Sequence, residues 1–217
     1  MAIAPIVQTF TFNPFYENTY VIGDPEGKTC IIVDPGNLTA TEDRELLQWI
    51  ASHAFRPVGI YCTHCHVDHV YGVRTVSEAY SLQPLIPKGE LELYQSAPIQ
   101  SQWFQVPMPA LPEPQAILKA GDQLRLGPYE IHVLSLPGHS PDHIALYFPN
   151  FHLLFSGDVL FKGSIGRYDL PGSNYRQLRE SLITLMQLPD ETIVFPGHGP
   201  STTIGAEKRT NPFLLDL

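Results

Sequence analysis

The sequence predicts an α/β protein in which two sheets lie face to face with helices outside them, and three features lead to that reading. The order strand, strand, helix, strand occurs in both halves of the chain. Several of the strand-like stretches run directly into turns that carry glycine, histidine or aspartate. The length, 217 residues with 43% hydrophobic content, suits one full core, so a single domain over 1–217 is expected. There is no internal repeat at a solenoid period.

The elements follow in order. Ile6 to Phe12, Asn18 to Gly23 and Thr29 to Val33 read as a meander of strands, punctuated by Asn13-Pro14 and by Asp24-Pro25-Glu26-Gly27. After Asp34-Pro35-Gly36, Thr39 stands three residues before Glu42 in capping-box spacing. Leu46, Leu47, Ile50 and Ala54 then recur as one helical face that Pro57 should stop. Val58 to Cys62 is a short apolar run that fits a buried strand and delivers Thr63-His64-Cys65-His66-Val67-Asp68-His69 at its C-terminal end. A helix over 70–80, a strand over 84–86 and a helix over 89–95 come next. Pro107, Pro109, Pro112 and Pro114 make 106–114 a loop rather than a domain linker. A hairpin through Leu124–Leu126 and Tyr129–Val133 leads to Pro137-Gly138-His139. Strands at Ile144–Phe148 and Phe151–Phe155 lead to Ser156-Gly157-Asp158. Leu178, Leu182, Leu185 and Met186 mark a helix, and Thr192–Phe195 is a last strand before Pro196-Gly197-His198-Gly199.

Bulk properties narrow the partners. Thirteen Lys and Arg against 22 Asp and Glu give a net charge of −9, which repels nucleic-acid backbones and anionic lipid, so a small-molecule partner is expected. Met1 is followed by no basic stretch, and no apolar run is long enough to span a bilayer. Cys30, Cys62 and Cys65 are too few for a disulfide framework; they suggest a reducing, cytoplasmic setting and structural or incidental thiols.

On an extended segment, residues two apart share a side, so His64, His66 and Asp68 project together while His69 opens the next turn. Imidazoles mixed with carboxylates suit zinc, iron or manganese in an open site, whereas a structural zinc would more often recruit thiolates. Four residues cannot saturate two ions. Three strand ends, each beside a glycine, supply His139, Asp158 and His198, and the set closes at five histidines and two aspartates. Asp68 and Asp158 are the carboxylates expected to serve catalysis as well as metal binding. His53, His132 and His152 lie outside the pattern. His143, four residues after His139, either orients a ligand or is structural. Asp34 reads as a turn residue or a support for a ligand. Lys162 and Arg167 either meet a substrate carboxylate or belong to a solvated loop.

The segments THCHVDH, PGHS, SGD and PGHG resemble, in order, the ligand motifs of the metallo-β-lactamase superfamily and span most of the chain. Within it, SGDVLFKGSIGRYDLPG with PGHGPSTTIGAEKRTNPF is similar to the short bacterial hydroxyacylglutathione hydrolases, the compact glyoxalase II branch. The resemblance implies a four-layer αββα sandwich of two mixed sheets flanked by helices. It implies one metal on His64, His66 and His139, a second on Asp68, His69 and His198, and Asp158 bridging. Two divalent ions, zinc first and iron or manganese as alternatives, would serve hydrolysis of a thioester such as S-lactoylglutathione. The chain departs from the pattern at Tyr71, Asp142 and Tyr168, where the family carries glycine or small residues, and the basic C-terminal helical extension of larger glyoxalase II enzymes is not seen. Rival readings are a mononuclear-iron persulfide dioxygenase, a lactonase or β-lactamase, and a non-enzymatic metal-binding scaffold. PGHG and FKGSIGRYDLPG stand closer to the hydrolases.

Overall fold

A computed structural model describes residues 3–106, 108–119 and 121–215. The chain forms two compact units, the first Met1–Leu118 with Arg125–Tyr129, the second Lys119–Leu124 with Glu130–Leu217.

The first unit opens with β1 (Ile6–Phe12), β2 (Glu17–Asp24) and β3 (Thr29–Val33), an antiparallel meander. Helix α1 (Ala40–Ser52) then carries the chain to β4 (Arg56–Tyr61), which pairs parallel to β3. Helix α2 (Val73–Tyr80), β5 (Pro84–Pro87), α3 (Leu91–Trp103) and β6 (Ala116–Leu118) extend the parallel part. The result is a mixed six-stranded sheet in the order β1-β2-β3-β4-β5-β6. All eight residues of β2 are buried, including Glu17, Asn18 and Asp24. One core lies under α1, where Leu46 and Ile50 meet Phe10, Phe12, Val21, Ile32 and Ile60. A second gathers Cys62, Cys65, Val67, Tyr71, Ile86 and Tyr94.

A second sheet starts with β7 (Gln123–Leu126), β8 (Tyr129–Ser135), β9 (Ile144–Phe148) and β10 (Leu153–Gly157). It is followed by a short ribbon of β11 (Leu160–Phe161) and β12 (Ser164–Ile165). Helix α4 (Tyr175–Leu185) leads to β13 (Ile193–Pro196), and β14 (Thr202–Thr203) and α5 (Ile204–Thr210) close the chain. The sheet order is β14-β13-β10-β9-β8-β7, with β10 and β13 parallel and their other neighbours antiparallel where registered. Leu178, Leu182 and Leu185 of α4 pack on Leu154, Val159 and Val194.

The structure corrects several sequence expectations. α1 ends at Ser52, because Ala54 turns into the left-handed region at φ 55° and is exposed; Pro57 lies inside β4 instead of stopping the helix. The helix expected over 89–95 runs on through Pro98 to Trp103. Phe151 belongs to a short 3₁₀ turn ahead of β10. The proline-rich segment is irregular where described, Pro107 itself lying outside the described residues. The elements β6, β11, β12, β14 and α5 are too short to leave a periodic signal.

Candidate metal centre

Within the first unit, β3 and β4 end side by side, with Val33 opposite Tyr61. The residues that follow each strand therefore emerge together at the carboxyl edge, where α/β sheets place their ligands. Asp34, held at φ 49°, is 1% exposed. Its Oδ1 accepts from the Thr63 amide (2.6 Å) and its Oδ2 from the Thr63 hydroxyl (2.7 Å) and from His69 Nδ1 (3.2 Å). Because the Thr63 hydroxyl proton goes to Asp34, Thr63 Oγ1 is an acceptor for His64 Nδ1–H at 3.1 Å. Both imidazoles thus commit Nδ1 to the protein and keep Nε2 as the nitrogen that bears the lone pair.

The ligand loop is not extended throughout. His66 is the last extended residue, and Val67–His69 form a 3₁₀ turn. Asp68 therefore sits in that turn, not in line with His64 and His66, and the turn swings His69 back until its ring centroid is 4.1 Å from that of His64. His64 and His66 stand edge to face at 4.8 Å. Asp68 Oδ2 is 3.8 Å from His69 Nε2. Asn13, left-handed at φ 52°, pins the turn by donating from Nδ2 to the carbonyls of Gly36 and Asp68, both at 3.0 Å.

Glu17 is a buried acid beside His69 that the sequence did not single out. It is fully buried, with Oε1 3.9 Å from His69 Nδ1 and Oε2 3.0 Å from the Thr19 hydroxyl. Burial pushes its carboxyl well above the ordinary range, His69 opposing and Asp34 and Asp68 reinforcing the shift. The only signal in the sequence was a run of polar residues, Glu17-Asn18-Thr19, entering an otherwise apolar strand.

Within the second unit, β10 and β13 also end together. A bulge between Phe155 and Gly157 sets Gly157 opposite Pro196, and the Gly197 amide donates to the Gly157 carbonyl at 2.8 Å. Asp158 and His198 thus leave adjacent parallel strands side by side. Asp158 Oδ2 lies 3.5 Å from His198 Nε2 and 3.5 Å from His139 Nε2. That is longer than a good hydrogen bond. It matches two donors on one tetrahedral ion, which at donor–metal distances of about 2.1 Å stand about 3.4 Å apart. His139 Nδ1 donates to the Arg167 carbonyl at 2.9 Å, again leaving Nε2 to face Asp158. His143 anchors the root of that carboxylate, its Nε2 accepting from the Asp158 amide at 3.0 Å.

The remaining sequence candidates fall elsewhere. Arg167 grips Asp169 with both prongs at 2.9 and 3.1 Å on the exposed surface, and Lys162 is exposed. Hydrogen bonding to Asp169 raises the Arg167 guanidinium further above its usual value. Tyr168 and Tyr175 pair on the surface with ring centroids 4.8 Å apart. Tyr71 is buried, its phenol pushed up to about 12 by burial and by Asp68. His53 stacks on Trp49, His132 pairs with Glu130, and His152 occupies a left-handed turn. Cys30, Cys62 and Cys65 are free, buried thiols; burial, then the Cys62 side chain, pushes the Cys65 thiol well up. No helix among the described residues is long and apolar enough to cross a membrane.

The donor set suits divalent ions: imidazoles whose Nδ1 is engaged by the protein, the Asp158 carboxylate 3.5 Å from two of them, and buried acceptors behind them. Comparisons with known proteins agree. The family model of the metallo-beta-lactamase superfamily matches residues 12–198. A hydroxyacylglutathione hydrolase, GloC, of Haemophilus influenzae is 35% identical over 212 residues, covering 96% of this chain and 97% of its own. The crystal structure of BLEG-1, a B3 metallo-beta-lactamase, superposes with a TM-score of 0.88 at 33% identity over 96% of this chain and 99% of that one. The structure of TTHA1623 in a di-iron-bound form gives 0.83 at 41% identity over 98% and 100%. With its two mixed sheets and five α-helices among the described residues, the chain has the metallo-β-lactamase fold and belongs to the metallo-β-lactamase superfamily as a metal-dependent hydrolase.

Proposed function

We propose that His64, His66, Asp68, His69, His139, Asp158 and His198 together hold two divalent metal ions, and that the protein hydrolyses a small thioester of the S-lactoylglutathione type. The observation that carries this is the position of Asp158 Oδ2, equidistant at 3.5 Å from His139 Nε2 and His198 Nε2. At that spacing the carboxylate can share an ion with either imidazole, which supports reading it as the donor common to two ions. Bound there, the ions would supply Lewis acidity, making hydroxide available near neutral pH and polarising a scissile carbonyl.

The chain's own residues do the rest. Asp34, Thr63 and the Arg167 carbonyl hold His69, His64 and His139 as Nε2 donors, so no imidazole needs to change tautomer when an ion enters. His143 keeps Asp158 aimed by gripping its amide. A thiol leaving group, with a pKa of about 8.5, departs as thiolate without a strong general acid. The thioester reading is supported by the 35% identity to the GloC hydrolase across 96% of the chain and by the segments FKGSIGRYDLPG and EKRTNPF. The net charge of −9 supports a small-molecule substrate over a polyanion. Zinc is the proposed ion, with iron as the alternative that the di-iron neighbour supports.

The test is turnover on three substrate classes by one preparation: S-lactoylglutathione, a chromogenic β-lactam and a γ-lactone. Thioester turnover at least tenfold above the other two is expected. Preferential β-lactam or lactone cleavage would reject the thioester assignment and leave the metal centre standing.

A further inference from the structure

The two segments FKGSIGRYDLPG and EKRTNPF lie about forty residues apart in sequence and contribute no metal donor, yet the structure clasps them together. β11 and β12 pair through two residues each, too little to hold a ribbon unaided. What holds it comes from the end of the chain. Glu207 of α5 is 1% exposed: one carboxyl oxygen accepts from the Gly163 amide (2.8 Å) and from Asn211 Nδ2 (2.8 Å), the other from the Thr202 hydroxyl. Asn211, fully buried, donates from the same amide group to the Ser164 carbonyl at 3.0 Å, and its Oδ1 accepts from the Phe213 amide at 3.0 Å.

The ribbon so held is the middle of a loop whose two ends both touch the metal donors. It begins at Asp158. It closes when the Gly166 amide donates to the Val159 carbonyl at 3.1 Å, a contact so tight that a side chain at Gly166 would strike the Asp158 carbonyl and His139 Cβ. The next residue, Arg167, provides the carbonyl that fixes His139 Nδ1 at 2.9 Å. Ribbon position is therefore transmitted to the Asp158 backbone at one end and to the His139 tautomer at the other.

We propose that Glu207 and Asn211 are positioning residues for the metal centre: through the β11–β12 ribbon they set the Arg167 carbonyl and the Asp158 main chain, and so the spacing of His139 Nε2 and Asp158 Oδ2. This rests on reading His139 and Asp158 as metal donors.

The test compares Asn211→Ala, Glu207→Ala and Glu207→Gln with Lys208→Ala. Lys208 tethers the same helix to Asp190 at 2.6 Å and to the Leu188 carbonyl, away from the ribbon. Zinc affinity is measured by chelator competition, amide hydrogen exchange over 159–167 by mass spectrometry, and kcat and KM on S-lactoylglutathione, all at equal distance below each variant's Tm. Asn211→Ala and Glu207→Ala should weaken zinc binding about 10–100-fold, the range for partners that orient a metal ligand. They should also speed exchange over 159–167 and lower kcat with KM within twofold. Glu207→Gln should restore all three, since its Oε1 still accepts from Gly163 and Asn211 while its amide meets Thr202 Oγ1. Lys208→Ala should lose stability alone. Should Glu207→Ala not fold, Asn211→Ala decides. Wild-type zinc affinity in Asn211→Ala, or an equal loss in Lys208→Ala, overturns the proposal and leaves the hydrolase reading intact. Wild-type protein that binds no metal sinks both.

Discussion

Asp34 shows how one side chain organises a site it does not join in sequence. It reaches Thr63 and His69, 29 and 35 residues on, and its left-handed backbone is tolerable because aspartate visits that region more readily than most residues. Asp34→Asn keeps shape and backbone preference but weakens the acceptor for His69 Nδ1–H, so metal affinity is expected to fall about 10–100-fold with near-native stability. Chelator competition reads this, and unchanged affinity would assign Asp34 to the turn alone. Asp158→Ala removes the proposed shared donor; kcat should drop by about 10²–10³ or more and one ion should be lost, with the circular dichroism spectrum unchanged. Normal metal content and turnover would refute the bridging role. The proposed donors stand in local patterns of the sequence, H-x-H-x-D-H and three glycine-flanked strand ends. Asp34 and His143 stood there only as a choice between ligand support and a turn or structural residue, and Glu17 not at all, because each acts through a contact that only the fold creates.

At the level of elements, the strongest local signal was also the best kept. The capping box of Thr39 and Glu42 is present, and Glu42 does more than cap. Its Oε2 accepts from the Leu38 and Thr39 amides, both at 2.8 Å, and its Oε1 from the Asn13 amide at 2.9 Å. The half-buried carboxyl is held below the usual glutamate value: burial alone would raise it, and the hydrogen bonds to Thr39, Leu38 and Asn13 together outweigh that. A group depressed in the folded state stabilises above its unfolded pKa and stops doing so as pH falls through the folded value. Glu42→Gln is therefore expected to cost about 1 kcal/mol at pH 7, and the difference from wild type should shrink below about pH 4. Urea titrations at pH 7 and pH 3.5 measure it; a difference that grows with acid would contradict the sign. Strand positions were readable from alternation and Gly/Pro punctuation. The ends of helix α1 were less so, since Ala54 leaves the helix for a left-handed turn that an alanine does not announce. Ribbons of two residues, and the seven-residue α5, fall below any periodic window.

For the whole molecule, the two-sheet organisation was visible in the repeated strand, strand, helix, strand order, and both sheets are present with six strands each. The mixed character of each sheet follows from where helices intervene: α1, α2 and α3 impose parallel pairing from β3 onward, and α4 does so between β10 and β13. Ions that bind only the folded state stabilise it by mass action, about 2.7 kcal/mol each at a hundredfold excess over Kd. Stripping two ions with a chelator should then lower Tm by roughly 10–20 °C, restored by zinc. A shift under about 2 °C would mean that the donors bind metal weakly or not at all. The most direct test of the central claim is metal content per chain, by elemental analysis of protein purified without added metal, with S-lactoylglutathione hydrolysis assayed on the same sample. Two ions per chain with release of glutathione is the expected result; a single iron per chain, with oxygen uptake on glutathione persulfide and no hydrolysis, would contradict it.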